Sequence, residues 1–321
     1  MKIYDVGLFV NRFYRIMNAP KRVFEKAKRV DADIYHLHDP ELIPIGLKLK
    51  RLGKKVIFDS HEDVPKQMLS KTYLNSWSRW LISKILKFYE VWSCSKFSGI
   101  IAATPFIRDK FLKINSNTVD INNFPILNEL GRTSSWGFKK KEVCYIGVIS
   151  KARGILQVVE ALGLVGNKIS LNLCGLFGER ETEKHARKCG GWEKVNAHGS
   201  VNRQGVQEVL SRSMAGIVTL FPTQNYLDSL PTKMFEYMSA GIPVIASNFP
   251  LWKEIVEVNC CGICVDPLDP RDIARAIKYL TDNPKEAKVM GENGRRLVKE
   301  KYNWSTEEKK LIDLYNKVLD N

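Results

Sequence analysis

From residue 141 onward, the chain alternates short apolar runs with stretches whose apolar positions recur every three to four residues. The runs Val143–Gly147, Ile169–Gly175, Val195–His198, Ala215–Leu220, Val244–Ala246 and Gly262–Val265 predict strands. Ile155–Leu162, residues 179–188, Val206–Ser213, Lys233–Ser239 and Pro270–Asp282 predict helices, the last with Asp272 near its positive end. Strands that alternate with helices imply a parallel sheet, and ligands bind such a sheet at the carboxyl ends of its strands. Gly147, Gly175, Gly199 and the loop 221–233 lie at those ends and are expected to share one rim. The first half repeats the rhythm less completely. Asp33–His38, Lys55–Asp59, Gly99–Ala103 and Val119–Asn122 predict strands, and Ile3–Val10 offers at most one more. Leu42–Leu52, stopped by Gly53, and Trp77–Trp92 predict helices, and Thr104 with Pro105 starts another. Asn128–Lys141, with its Gly, Ser and Lys residues, reads as a linker, and 304–318 as a final helix. These marks divide the chain into 1–135, 136–303 and a closing segment 304–321.

At 321 residues the chain is long enough for two α/β domains, and its 44% hydrophobic content is ordinary for a globular protein. No apolar run approaches the roughly 18 residues that a spanning helix needs. The start, Met1-Lys2-Ile3, lacks a signal-peptide pattern, and seven scattered cysteines fit a reducing cytoplasm. The run Cys260–Cys264 invites a metal reading, yet no second Cys pair or His cluster stands at ligand spacing, so no metal site is expected. Cys144 and Cys174 sit in apolar runs as small core residues.

Charge changes the picture more than composition does. The net charge is +15. Residues 1–140 carry 25 Lys and Arg against 13 Asp and Glu, whereas 141–321 carry 25 against 22. The first half is therefore expected to face something anionic, and charge alone does not choose among nucleic acid, acidic lipid and substrate. No nucleic-acid motif or stacking platform appears, so that partner is not expected. The helix Trp77–Trp92 mixes Trp77, Trp80, Phe88 and Trp92 with Lys84 and Lys87. It reads either as a membrane-surface helix or as a core helix with a solvated basic face.

Candidate chemistry concentrates in Asp228–Ser247. Two carboxylates, Asp228 and Glu236, stand eight positions apart with Pro231 and Lys233 between them. A loop, a helix start, a stop at Gly241 and a buried strand follow from the pattern. Backbone N–H groups at a helix start beside Lys233 make a seat for phosphate. Glu236, about a turn further in, can accept hydrogen bonds from hydroxyls. Phosphate plus polyol is the chemistry of a sugar nucleotide, although a solvated Glu in an ordinary loop–helix–strand unit would look alike. In the first half, His61 lies at a predicted strand exit beside Glu62 and Asp63. His36 and His38 share one face of a strand, where His36 is read as structural.

Residues 228–247 resemble the donor-binding signature of retaining GT-B glycosyltransferases of the glycogen-synthase-like family, the group 1 type of family 4. There a Glu-x7-Glu pair precedes an x-Gly-x-Pro-Val-Ile strand, and Leu230–Met238 matches the Leu-Pro-x-Lys-x-x-Glu-Tyr-Met branch. The resemblance covers about residues 12–320 and is most specific at 33–65, 143–154 and 199–247. It implies an α/β GT-B fold, two Rossmann-like domains facing across a cleft, with the N-terminal one abridged by roughly two βα units. The closing helix would cross back onto that domain. The implied reaction is a retaining, metal-independent transfer of a hexose-type sugar from a nucleotide donor, expected to be a UDP-sugar, without a cofactor. The acceptor would be a glycan or lipid-linked glycan in surface polysaccharide assembly, in the cytoplasm at the inner face of the membrane.

Carried onto this chain, Glu236 would bind the ribose, and Asp228, standing where a Glu is usual, the donor-sugar hydroxyls. His61, within Ile57–Asp63, would hydrogen-bond the donor sugar or developing charge. Arg153 would neutralise the diphosphate. Gly147-Val148 stands where Gly-Arg is usual, so one cation is lost and Lys233 would replace it. Ser229, Leu230 and Thr232 would offer backbone N–H groups, Gly175 would complete the rim, and Ser200 and Val201 would lie beside the base. The alternative is a non-catalytic partner, or one half of a split enzyme completed by a separate N-terminal subunit. The short first half, Val148 and Asp228 favour that alternative.

Overall fold

The computed structural model describes residues 2–7, 12–69, 74–127, 129 and 136–320, with the backbone alone for 12–17. They form two compact units, Met1–Asn122 with Glu307–Asn321, and Asn123–Thr306. In the first unit, strands β1 (Ile34–Leu37), β2 (Lys55–Ser60), β3 (Gly99–Ala102) and β4 (Thr118–Asp120) make a parallel sheet in that order. Its inner strands are covered on both faces, which is why they read as continuous apolar runs. Alternate residues divide between two cores. Phe58 and Ile100 pack with Leu37, Phe97 and Phe111. Ile57 and Ile101 pack instead with Leu314 and Val318 of the helix Trp304–Asp320. Thr104 caps the helix Pro105–Leu112 by accepting the Ile107 N–H.

Some expectations for this unit change. Residues 2–7 form no strand, and the rest of the proposed Ile3–Val10 strand lies outside the described residues. The helix Arg12–Val30 was not expected from the pattern. Most of the proposed linker, 128 and 130–135, also lies outside the described residues, and Trp136–Phe138 within it is a single helical turn.

The second unit holds β5 (Glu142–Ile146), β6 (Ser170–Cys174), β7 (Val195–Gly199), β8 (Ala215–Val218), β9 (Val244–Ser247) and β10 (Gly262–Val265). All pair in parallel, in the order β10-β9-β8-β5-β6-β7. The chain builds outward from β5 to β7, then returns to the other side of β5 to lay down β8. At that reversal the pairing is short, Val143 with Ala215 and Cys144 with Gly216. Beyond it, the Ile146 N–H donates to Tyr237 Oη at 3.0 Å, so the two strands part there. Tyr237 is fully buried over Gly216, where a Cβ would stand 2.2 Å from the ring. The helices Pro250–Val256 and Pro284–Glu300 went unread in the sequence. The second buries Ala287, Gly291, Gly294 and Val298, a stripe of small residues that apolar periodicity does not register.

Candidate functional site

Where strand order reverses in a parallel sheet, a crevice opens at the carboxyl ends of the diverging strands. In the second unit this sets Gly147, just past β5, against the segment that follows β8. Lys233 comes from the helix Thr232–Ser239, whose N-terminus begins at Pro231 with no side-chain cap. The Met234 N–H donates to the Pro231 carbonyl at 3.0 Å, and the Thr232 and Lys233 N–H groups ahead of it remain for a ligand. The Lys233 side chain passes over Gly147, where a Cβ would stand 2.4 Å from Cε, and Gly147 itself holds φ +118°. Its Nζ lies 4.6 Å from the Tyr145 ring centroid. Desolvation, and then the Arg153 guanidinium, lower the Lys233 pKa to about 7, while Glu236 acts weakly the other way. Arg153 sits on the short turn Lys151–Arg153 that follows β5. Neither Lys233 nor Arg153 forms an ion pair among the described residues. Two neighbouring cations without counter-charge are unfavourable, so Lys233 sheds its proton readily unless an anion joins them.

Glu236, on the same helix, is held by Arg203 at 2.8 Å. Arg203 also grips Glu129 through two bonds, Nε to Oε1 at 2.8 Å and Nη2 to Oε2 at 2.9 Å. This clamp raises the Arg203 pKa and lowers that of Glu129, the hydrogen bond between them being the first cause of each. Arg203 escaped the sequence reading. One signal was present: Asn202 caps the helix Arg203–Arg212, and a cation in the first turn of a helix is unfavourable unless something pairs it.

The remaining residues take distinct places. The Gly175 N–H donates to the Gly199 carbonyl at 2.7 Å, and a Cβ on Gly175 would meet the Gly147 carbonyl at 1.9 Å, so these three glycines adjoin. Ser200 is exposed and half-buried Val201 packs on the core. Asp228 ends the single turn Gln224–Leu227. Ser229 departs from expectation. Its N–H and its hydroxyl both donate to the Tyr226 carbonyl, and its own carbonyl accepts from Trp252 Nε1, so the turn consumes the N–H meant for a ligand. Leu230 packs against the core, Thr232 is exposed, and Val148 is 56% exposed.

In the first unit, His61 follows β2, and its Nε2 lies 3.4 Å from Asp59 Oδ2. The same oxygen has His38 Nδ1 at 3.1 Å and His36 Nε2 at 3.5 Å. No histidine cluster was visible at sequence spacing, but parallel pairing of β1 with β2 assembles one at the carboxyl edge of the sheet. Burial raises the thiols of Cys261 and Cys264 to about 12, as expected of packed rather than reactive cysteines. The helix Ser76–Cys94 buries Glu90, Ser93 and Cys94 and exposes Trp77 (68%), Trp80 (53%) and Phe88 (75%). Glu90 is ion-paired with Lys110. No described helix is long and apolar enough to cross a membrane.

Comparison with known proteins agrees with this architecture. Residues 132–297 match the family model described as glycosyl transferases group 1, and residues 3–121 match glycosyltransferase family 4. An uncharacterized glycosyltransferase of Methanocaldococcus jannaschii is 24% identical over 221 residues, 67% of this chain and 54% of that protein. The chain spans about half the length of curated relatives such as this one. Sucrose-phosphate synthase of Thermosynechococcus elongatus superposes with a TM-score of 0.76 at 19% identity, covering 97% of this chain and 81% of that one. Anabaena HepE in complex with UDP-glucose gives 0.73 at 16%, covering 95% and 84%. These likenesses identify the GT-B fold.

Proposed function

This chain belongs to the glycosyl transferases group 1 family, and from that premise we propose that it transfers a sugar from a UDP-sugar to a glycan or lipid-linked glycan, with retention, in surface polysaccharide assembly. One observation carries the reading: Lys233 and Arg153 lie together, without a carboxylate partner among the described residues, at an uncapped helix start on the strand-order reversal. Breaking a glycosyl–phosphate bond leaves a diphosphate with growing negative charge. Fixed cations and N–H groups aimed at it stabilise the transition state more than the ground state. Glu236, oriented by Arg203, would take the ribose hydroxyls, and Asp228 the donor sugar. The charge on Lys233 and Arg153 supplies what the departing diphosphate needs, so the proposed transfer is metal-independent. In this scheme the acceptor oxygen attacks from the face that the diphosphate leaves. That UDP-glucose occupies the Anabaena HepE structure supports the choice of nucleotide.

The test is calorimetric binding of UDP, followed by UDP release from a panel of UDP-sugars with glycan and lipid-linked acceptors. Tight UDP binding with acceptor-dependent release supports transfer. Absence of UDP binding to the full chain overturns it. Val148, where a cation is expected, favours a second reading, a non-catalytic or split subunit. Binding without turnover, repaired by a co-expressed partner, would select that reading. We further place the chain at the inner membrane face, because Trp77, Trp80 and Phe88 are exposed on a helix that also carries Lys84 and Lys87. Sedimentation with anionic vesicles checks this, and Trp77→Ser with Trp80→Ser should weaken it severalfold.

A further inference from the structure

We infer that His36, His38 and Asp59 form a binding site for a transition-metal dication of the zinc class, with His61 as its neighbour on Asp59. Transfer as proposed does not require this ion.

The spacing comes first. One ring nitrogen each of His36 and His38 and an Asp59 carboxylate oxygen lie within 4.8 Å of one another. Asp59 Oδ2 stands 3.5, 3.1 and 3.4 Å from nitrogens of His36, His38 and His61. A tetrahedral ion with ligand bonds near 2.0–2.1 Å sets neighbouring ligand atoms about 3.3 Å apart. The donor atoms around Asp59 therefore already approach the edges of a coordination tetrahedron.

The hydrogen bonding of His36 comes second. Its Nδ1 bonds Tyr315 Oη at 2.7 Å, while its buried Nε2 has no hydrogen-bond partner. A metal-bound imidazole donates its other N–H to an oxygen, which fixes the tautomer. In the neutral ring with Tyr315 accepting from Nδ1, the Nε2 lone pair faces the Asp59 carboxylate, and a cation between these two atoms at 3.5 Å would satisfy both. The opposite tautomer would point an N–H at Asp59, yet the distance is too long for the bond.

Ring geometry comes third. His36 and His38 stack with centroids 4.3 Å apart and planes 19° from parallel, and His38 stacks with His61 at 6.0 Å, so the three imidazoles stand side by side at Asp59. Two imidazoles and one carboxylate suit zinc, cobalt or nickel rather than magnesium or calcium, which prefer oxygen.

The full-length chain, stripped of metal, should bind one Zn²⁺ or Co²⁺ per molecule in calorimetry and melt at a higher temperature with the ion. His38→Ala removes a ligand whose side chain is 63% exposed, so the fold should survive, as the melting temperature without metal will show. It should weaken binding at least tenfold, with Tyr315→Phe having a smaller effect. His198→Ala should change nothing, and neither should Cys260→Ser. No stoichiometric binding overturns the inference. So does binding that survives His38→Ala, the result expected if thiols held the ion. Binding is read without any donor sugar, so its outcome is independent of the transfer reading.

Discussion

The two sheets both end in a cluster of charge, and the clusters are opposite in kind. In the second unit, Lys233 and Arg153 are neighbouring cations with no ion-pair partner among the described residues. In the first, buried Asp59 is a carboxylate met by three imidazoles. A charge held away from water without a partner is unfavourable, and it persists where a ligand supplies the counter-charge. The cluster of the second unit thus suits an anion and that of the first unit a cation. Topology separates them too: among the described residues the second unit's sheet reverses its strand order and the first unit's does not, and at the reversal Tyr237 props two strands apart.

Lys233→Met should lower UDP-sugar turnover about 10²–10³-fold, while the melting temperature stays or rises because a half-buried cation beside Arg153 is gone. Turnover within a few fold of the parent protein would show that the crevice is not the donor site. Gly147→Ala puts a methyl where the Lys233 side chain passes, on a backbone that favours glycine. It should reduce UDP affinity about tenfold and stability by about 1–3 kcal/mol, read by calorimetry and denaturant titration.

The Lys233 pKa is about 7 in the fold against 10.5 for an ordinary lysine, so Lys233 is largely neutral above pH 7 and would gain a proton on binding the proposed UDP. Affinity should fall up to tenfold per unit above pH 7. Calorimetry at pH 8 in buffers of different ionisation enthalpy should detect proton uptake, lost in Lys233→Met. Stability carries its own sign. Between about 7 and 10.5 the unfolded chain holds more protons than the fold. The destabilisation from Lys233, complete below 7, therefore shrinks as pH rises through that window. The smallest effect belongs to Arg203→Gln. It should raise the donor KM severalfold with little change in kcat, and alter stability by less than about 1 kcal/mol, since the pair is partly exposed.

Much of this was legible one element at a time. Lys233 and Glu236 stand three residues apart on one helix, so the chain itself brings them close. Arg203 was not legible, because it lies 33 residues from Glu236 among many other cations. The helix Ser76–Cys94 could be read for its mixed aromatic and basic content, but not for which face points outward, and the structure turns Trp77 and Phe88 to the solvent. The helix Pro284–Glu300 hid because what it buries is Ala and Gly.

By itself the sequence determined the alternation of strand and helix, the glycines at strand ends, and the helix start that holds Lys233 with Glu236. Each depends on neighbours within a pleat or a turn, where spacing along the chain equals spacing in the molecule. Only the tertiary structure decided that Arg203 clamps Glu236, that Ser229 gives its N–H to a turn, and that His36, His38 and His61 converge on Asp59. Those relations depend on distances of a few ångströms between elements that parallel crossovers bring together from far along the chain, and Coulomb and hydrogen-bond energies follow those distances.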